Sequence, residues 1–268
     1  EISLGLVGSE MCIRDRKGDL TQGGIITTLL QFTLPMLAGS LLQQCYNIAD
    51  TLIVGQCIGA NALAAVGSAY TLMVFLISIL LGLSMGSGTV FSLQYGAGDL
   101  SALRRSIYVS LLLIGTVTIL LNVAVFLWLD PILRWLQVPY DIYSLMRNYL
   151  WIIFWGIVFT FLYNFYAALL RAVGDSVTPL WFLAVSVVLN IGLDLFLILV
   201  LDQGIEGAAV ATVIAQGTAA SGILLYTYKT RPELRLHRED MCFDRSSLRE
   251  ITSFSTPVSY THLTLPTT

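Results

Sequence analysis

The chain is 268 residues long, 56% hydrophobic and only 12% charged, about half the charged share of a soluble domain. Mean hydropathy is +0.78, and the charges crowd at the ends: seven in residues 1–19, eleven in 229–250, thirteen in all of 20–228. This excludes a nucleic-acid binder, a disordered chain and a cytosolic enzyme, and predicts an all-α membrane protein whose solvent is the lipid bilayer.

Residues 1–17 begin at Glu1 and carry neither the apolar core nor the cleavage site of a signal peptide, so they read as a non-native tail. Residues 258–268 read the same way. Between them, 18–230 reads as a six-helix unit, 231–246 as a cytoplasmic loop and 247–257 as the start of a seventh helix.

Charge-free stretches locate the spans, since about 20 apolar residues cross a bilayer. The first, near 24–56, holds Pro35 at its middle, where the missing N–H permits a kink. It also carries a polar stripe, Ser40, Gln43, Asn47 and Asp50, at helical spacing. Gly55, Gly59 and Asn61 interrupt the charge-free run and open the second span, near 61–94, with the small-residue face Gly82-x-x-x-Gly86 and Gly88. The third, near 104–128, follows Asp99, a helix-starting residue. Trp128 and Trp135 suit a membrane interface.

The fourth span, near 146–170, contains Asn164. The fifth, near 177–200, has Asp175 and Ser176 as N-caps and Pro179 in its first turn. It repeats the polar device with Ser186, Asn190 and Asp194, each one turn after the last. The sixth, near 207–229, opens with Thr212. Asp130, Asp141, Asp202 and Glu206 read as solvated loop residues at the outer interface.

Asp50 and Asp194 are the two acidic residues within spans. A charge at depth costs roughly 2.5–3.5 kcal/mol on insertion scales, so it faces a cavity or a partner. Counting about 1.5 Å per residue places Asp50, Asp194 and Thr212 on the order of 8–12 Å below the same membrane face. Equal depth on neighbouring helices allows one shared site. Asn164 lies deeper.

No other chemistry competes. Cys12, Cys45, Cys57 and Cys242 form no C-x-x-C pair, and His237 and His262 stand apart. Nothing reads as a phosphate-binding loop. Gly96-Ala97-Gly98-Asp99 matches the G-x-G-D string of intramembrane aspartyl proteases, but it falls at the mouth of a span, beside Arg104 and Arg105. Tyr46 and Asp50 are also four apart, so the Tyr-Asp pair of such enzymes is missing, and no catalytic role is expected.

At this point the residues resemble a family. LPMLAGSLLQQCYNIADTLIVGQCIGANALAAVG, GLSMGSGTVFSLQYGAGD and LLRAVGDSVTPLWFLAVSVVLNIGLDLFLI are similar to segments of the multidrug and toxic compound extrusion (MATE) transporters, in a form like the DinF branch. The resemblance implies six transmembrane helices forming the N-lobe of a twelve-helix transporter, with the C-terminal lobe of the same protein as missing partner. It implies a secondary antiporter in the inner (plasma) membrane exporting small organic, mostly cationic compounds in exchange for H+ or Na+, with no cofactor. On that resemblance Asp50, Asn190, Asp194 and Thr212 match the ion-coupling positions, and would be the metal ligands if the ion is Na+. Asn164 matches a nearby polar position, and Pro35 the proline at which the first helix bends. A lipid-linked oligosaccharide flippase of the same superfamily would need a cationic stripe for pyrophosphate, and no span has Lys or Arg away from its ends.

Lys and Arg set the orientation. With the N-terminus inside, twelve lie on the cytoplasmic side, including Arg104, Arg105, Arg171 and Lys229, and only Arg134 and Arg147 lie outside. A cysteine introduced near Asp202 is therefore expected to react with an impermeant thiol reagent added outside, whereas Cys242 is not. The opposite labelling pattern would overturn this orientation.

Overall fold

In this computed structural model the described residues are 25–241 and 244–264. The expected tail 1–17, Cys12, Cys242, the side chain of His262 and residues 265–268 lie outside them. The described residues are helical throughout: α1 (Ile25–Cys57), α2 (Ala60–Gly96), α3 (Leu100–Trp135), α4 (Tyr140–Trp155), α5 (Ile157–Ala172), α6 (Val177–Leu195), α7 (Gly204–Thr230) and α8 (Arg245–Thr264). Four of these are long and apolar enough to cross a membrane, or five spans when α4 and α5 are joined across their 46° bend. At 33 residues, α1 has the length of a sixth.

The short connections are set by local chemistry. Gly98 and Gly174 adopt φ of 75° and 88°, a left-handed conformation that glycine enters without a Cβ clash, and each reverses the chain after a helix. Directly after them come acidic caps. Asp99 accepts from the Ala102 amide at 2.9 Å, and Asp175 from the Thr178 amide at 3.0 Å and its hydroxyl at 2.8 Å. Both satisfy amides that a helix N-terminus leaves without partners.

The main core runs between α2, α3, α4 and α5, around Leu80, Phe91, Leu103, Met146, Phe154 and Phe165, all essentially without exposure. α6 and α7 pack on each other and on α5 and α1. Outward faces stay apolar, with Leu41, Ile119, Val188 and Val200 more than half exposed. In water such a surface would aggregate, whereas against lipid tails it is the expected exterior.

Three features differ from the sequence expectation. The fourth span is broken at Gly156 rather than continuous. The fifth ends in a π-helical turn, Phe196–Val200. Asp130 and Glu206 are not simply solvated: Asp130 pairs with Arg147 at 2.8 Å and accepts from the Tyr143 hydroxyl, while Glu206 accepts from Asn148 at 2.8 Å. These contacts join helices that sequence spacing alone leaves apart.

Beyond α7 the chain stays on the bundle. Leu234 is buried in the core, Arg231 reaches Asp175 at 3.4 Å, and Arg104 pairs with Asp240 at 2.9 Å. Asp244 then starts α8 by accepting from the hydroxyl and amide of Ser246, which with Ser247 hold its carboxyl down at about 2. α8 lies along α2, its Ser255 hydroxyl donating to the Leu83 carbonyl at 3.3 Å. Contact is tight because Gly86 has no side chain. A Cβ there would lie 2.3 Å from the Ser255 Cα, and one at Gly82 equally close to Ser259. Gly86→Ala is therefore expected to force α8 outward and destabilise the fold by about 1–3 kcal/mol, the usual cost of overpacking. Thermal unfolding in detergent checks this, and an unchanged midpoint would contradict the close α2–α8 contact.

Candidate functional site: a buried acid–amide cluster

α6 carries a fully buried polar pair. Asn190 and Asp194 both have zero exposure, and Ser186 one turn earlier is also buried. Their spacing puts all three on one helical face, the face that α7 and α1 cover. From α7 comes Thr212, 5% exposed. From α1 come Asp50 and Tyr46, both half-buried.

The Thr212 hydroxyl oxygen is the junction. It accepts from the Tyr46 hydroxyl at 3.3 Å and from the Asn190 side-chain amide at 3.4 Å, so one atom ties α1, α6 and α7 together. The charge of Asp50 reaches Asp194. Tyr149 of α4, only 4% exposed, lies within electrostatic reach of Asp50, Tyr46 and Asp194. The structure thus brings together Asp50, Asn190, Asp194 and Thr212.

Four oxygens of this cluster are buried with no hydrogen-bond partner among the described residues: Asp50 Oδ1, Asn190 Oδ1 and both carboxylate oxygens of Asp194. Buried polar atoms are nearly always paired. Oxygens left open from two acids and an amide suit a proton or a hard cation, which takes oxygen ligands. Among the described residues no group of three or more His, Cys, Asp or Glu could hold a metal ion, so any cation here would rely on the amide and hydroxyl as well as the acids.

Asn164 is not part of this group. Its side-chain amide donates to its own helix, at the Thr160 carbonyl, 2.8 Å away. The Thr160 hydroxyl bonds Gln216 Oε1, forming a second polar spot beside a cavity of about 20 Å³ lined by Met73, Ile77, Phe154 and Ile157. The rest of the α1 stripe also stays apart: Gln43 is exposed, Ser40 bonds back to the Met36 carbonyl, and Asn47 bonds Gln44. Pro35 lies within α1, half-buried, fifteen residues before Asp50.

Tyr46 and Tyr149 were missed as site residues, because tyrosine in an apolar span has an ordinary packing explanation. Tyr46 had one available signal: it sits four residues before Asp50, on the same helical face.

An all-helical, multi-pass fold with a buried acidic cluster shared by three helices defines the class of membrane transport proteins. Comparison narrows the class. The MatE family model matches residues 35–196, and the chain belongs to that family. It is 37% identical over 211 residues to the probable multidrug resistance protein YpnP of Bacillus subtilis, covering 79% of this chain and 47% of YpnP. It is 31% identical over 213 residues to the multidrug export protein MepA of Staphylococcus aureus, covering 76% of this chain and 46% of MepA. Among solved structures, the Vibrio cholerae MATE transporter VcmN in its bent form matches with a TM-score of 0.81 at 26% identity, over 89% of this chain and 54% of VcmN. The chain spans about half the length of the curated relatives it matches.

Thr212→Val keeps the side-chain shape and removes the shared acceptor. It leaves the Tyr46 hydroxyl and the Asn190 amide unpaired, which is expected to destabilise the bundle by about 1–3 kcal/mol. Denaturant unfolding in detergent measures it, and wild-type stability would mean that the junction holds nothing together.

Proposed function

We propose that this chain is the N-terminal lobe of a secondary antiporter that exports organic, mostly cationic compounds in exchange for H+ or Na+. The observation that carries the reading is the buried cluster of Asp50, Asn190, Asp194 and Thr212, with its open carboxylate and amide oxygens. Charge at such depth serves a purely structural end poorly, since a neutral side chain would pack more cheaply. The names of the multidrug proteins YpnP and MepA support multidrug substrates, and the strings around Asp50 and Asp194 favour the DinF-like branch.

The mechanism is competition for one negatively charged site. Two carboxylates within electrostatic reach of each other in a low-dielectric interior cannot both hold charge cheaply. A cation arriving from outside neutralises the cluster, and a cationic drug then loses its electrostatic anchor and leaves. A proton needs only the carboxylates. Sodium would add the Asn190 and Thr212 oxygens as ligands. Pro35 supplies the moving part: it removes one main-chain donor from α1, so the helix that carries Asp50 and Tyr46 can bend as the cluster changes charge. Asn164, at the second polar spot, faces the drug rather than the ion. The orientation is N-terminus inside, in the inner membrane, and the C-terminal lobe of the longer protein supplies the other wall of the cavity.

The test uses the full-length transporter in proteoliposomes, with a pH gradient and a Na+ gradient applied separately. Asp50→Asn and Asp194→Asn are each expected to abolish gradient-driven efflux while the protein still inserts. Asn190→Ala and Thr212→Ala weaken coupling less than the aspartate changes if the ion is H+, and as severely if it is Na+. Wild-type rates in both aspartate variants would reduce the cluster to a helix-packing device.

A further inference from the structure

The break in the fourth span is met by a side chain from another helix. α4 ends at Trp155, α5 begins at Ile157, and their axes differ by 46°. At the break the Gly156 amide bonds the Ile153 carbonyl at 2.8 Å, and the Phe159 and Thr160 amides both turn to the Gly156 carbonyl, at 3.0 and 3.1 Å. In an unbroken helix the Phe154 carbonyl would accept from the amide four residues on, that of Val158. Here the side-chain amide of Asn122, on α3, donates to it at 2.7 Å.

A second contact reinforces the first. One turn along α3, the ring of Phe126 packs edge-on against Trp151 at 4.6 Å and tilted against Trp155 at 5.3 Å. α3 therefore grips the last turn of α4 by a polar bond and an aromatic one. α7 closes on the break as well: a Cβ at Gly156 would lie 2.8 Å from Val213 Cγ2.

What the break directs is Tyr149. It lies on α4, buried, within electrostatic reach of Asp50, Tyr46 and Asp194. The angle at Gly156 sets the course of α4 and so the place of Tyr149 beside the acids. In an apolar medium a main-chain carbonyl without a donor is costly, which makes the Asn122 amide the group that favours the bent form.

We infer that Asn122 is a positioning residue for the acid–amide cluster: by capping the Phe154 carbonyl it fixes the break at Gly156 and holds Tyr149 within electrostatic reach of Asp50 and Asp194. The inference rests on the ion-coupling reading above.

The experiment measures efflux from proteoliposomes by the full-length transporter while the driving cation and the drug are varied independently. Asn122→Leu keeps the volume and removes the donor. It is expected to shift the half-saturating cation concentration by about tenfold, the size usual for losing a group that orients a ligand. Asn122→Gln, which retains the amide, returns the cation dependence toward wild type. In a Tyr149→Phe background Asn122→Leu produces no further shift, because both act through the same hydroxyl. Unchanged cation dependence in Asn122→Leu, or equal shifts in both backgrounds, would overturn the inference. If Asn122→Leu fails to insert, Asn122→Ala is read by the same criteria. A wild-type protein with no cation-driven efflux would overturn the ion-coupling reading and this one together, whereas the variants bear on Asn122 alone.

Discussion

Asn190 and Asp194 sit at zero exposure inside a bundle whose outer surface is hydrocarbon, and the arrangement of the lobe follows from that burial. Polar groups withdrawn from water must find partners or ligands inside the protein. Thr212 answers for Asn190, Tyr46 answers Thr212, and Asp50 comes within electrostatic range of Asp194. α1, α6 and α7 are thereby brought to one point. In the proposed antiporter, the carboxylate oxygens that stay open are the chemistry on which exchange would draw.

The surrounding elements serve that point at different distances. α1 is the most exposed of the long helices, and its contacts run chiefly to α6, so a bend at Pro35 disturbs little of the main core. α4 is held differently: its last turn is fastened to α3 through Asn122 and Phe126. The bundle end bearing Arg104 and Asp175 is closed by the segment after α7, through two ion pairs and the buried Leu234. α1 is thus lightly held beside a firmly packed α2–α5 core.

Much of this was legible in the sequence, for a physical reason. Charge-free runs are long and polar residues at depth are rare, so Asp50, Asn190, Asp194 and Thr212 stood out, and the 3.6-residue period put Asn190 and Asp194 on one face. Other features depend on partners remote in the chain. The bend at Gly156 is capped by Asn122, which bonds the Phe154 carbonyl 32 residues on, and a lone glycine in an apolar run does not announce a break. Asp130 looked solvated because its partner Arg147 lies on the next helix. Ser40, Gln43 and Asn47 shared a period with Asp50 but not its destination, since exposed polar groups on α1 bond locally. Periodicity reports the face of a helix and says nothing of what that face meets.

In the proposed exchange the Asp50–Asp194 cluster itself binds the cation. Infrared difference spectroscopy of the full-length protein, titrated separately with H+ and with Na+, reads this directly through the carboxyl stretching bands. A carboxyl band is expected that changes with one of the two cations in the wild type and is lost in Asp194→Asn. A difference spectrum that is the same in wild type, Asp50→Asn and Asp194→Asn would contradict it.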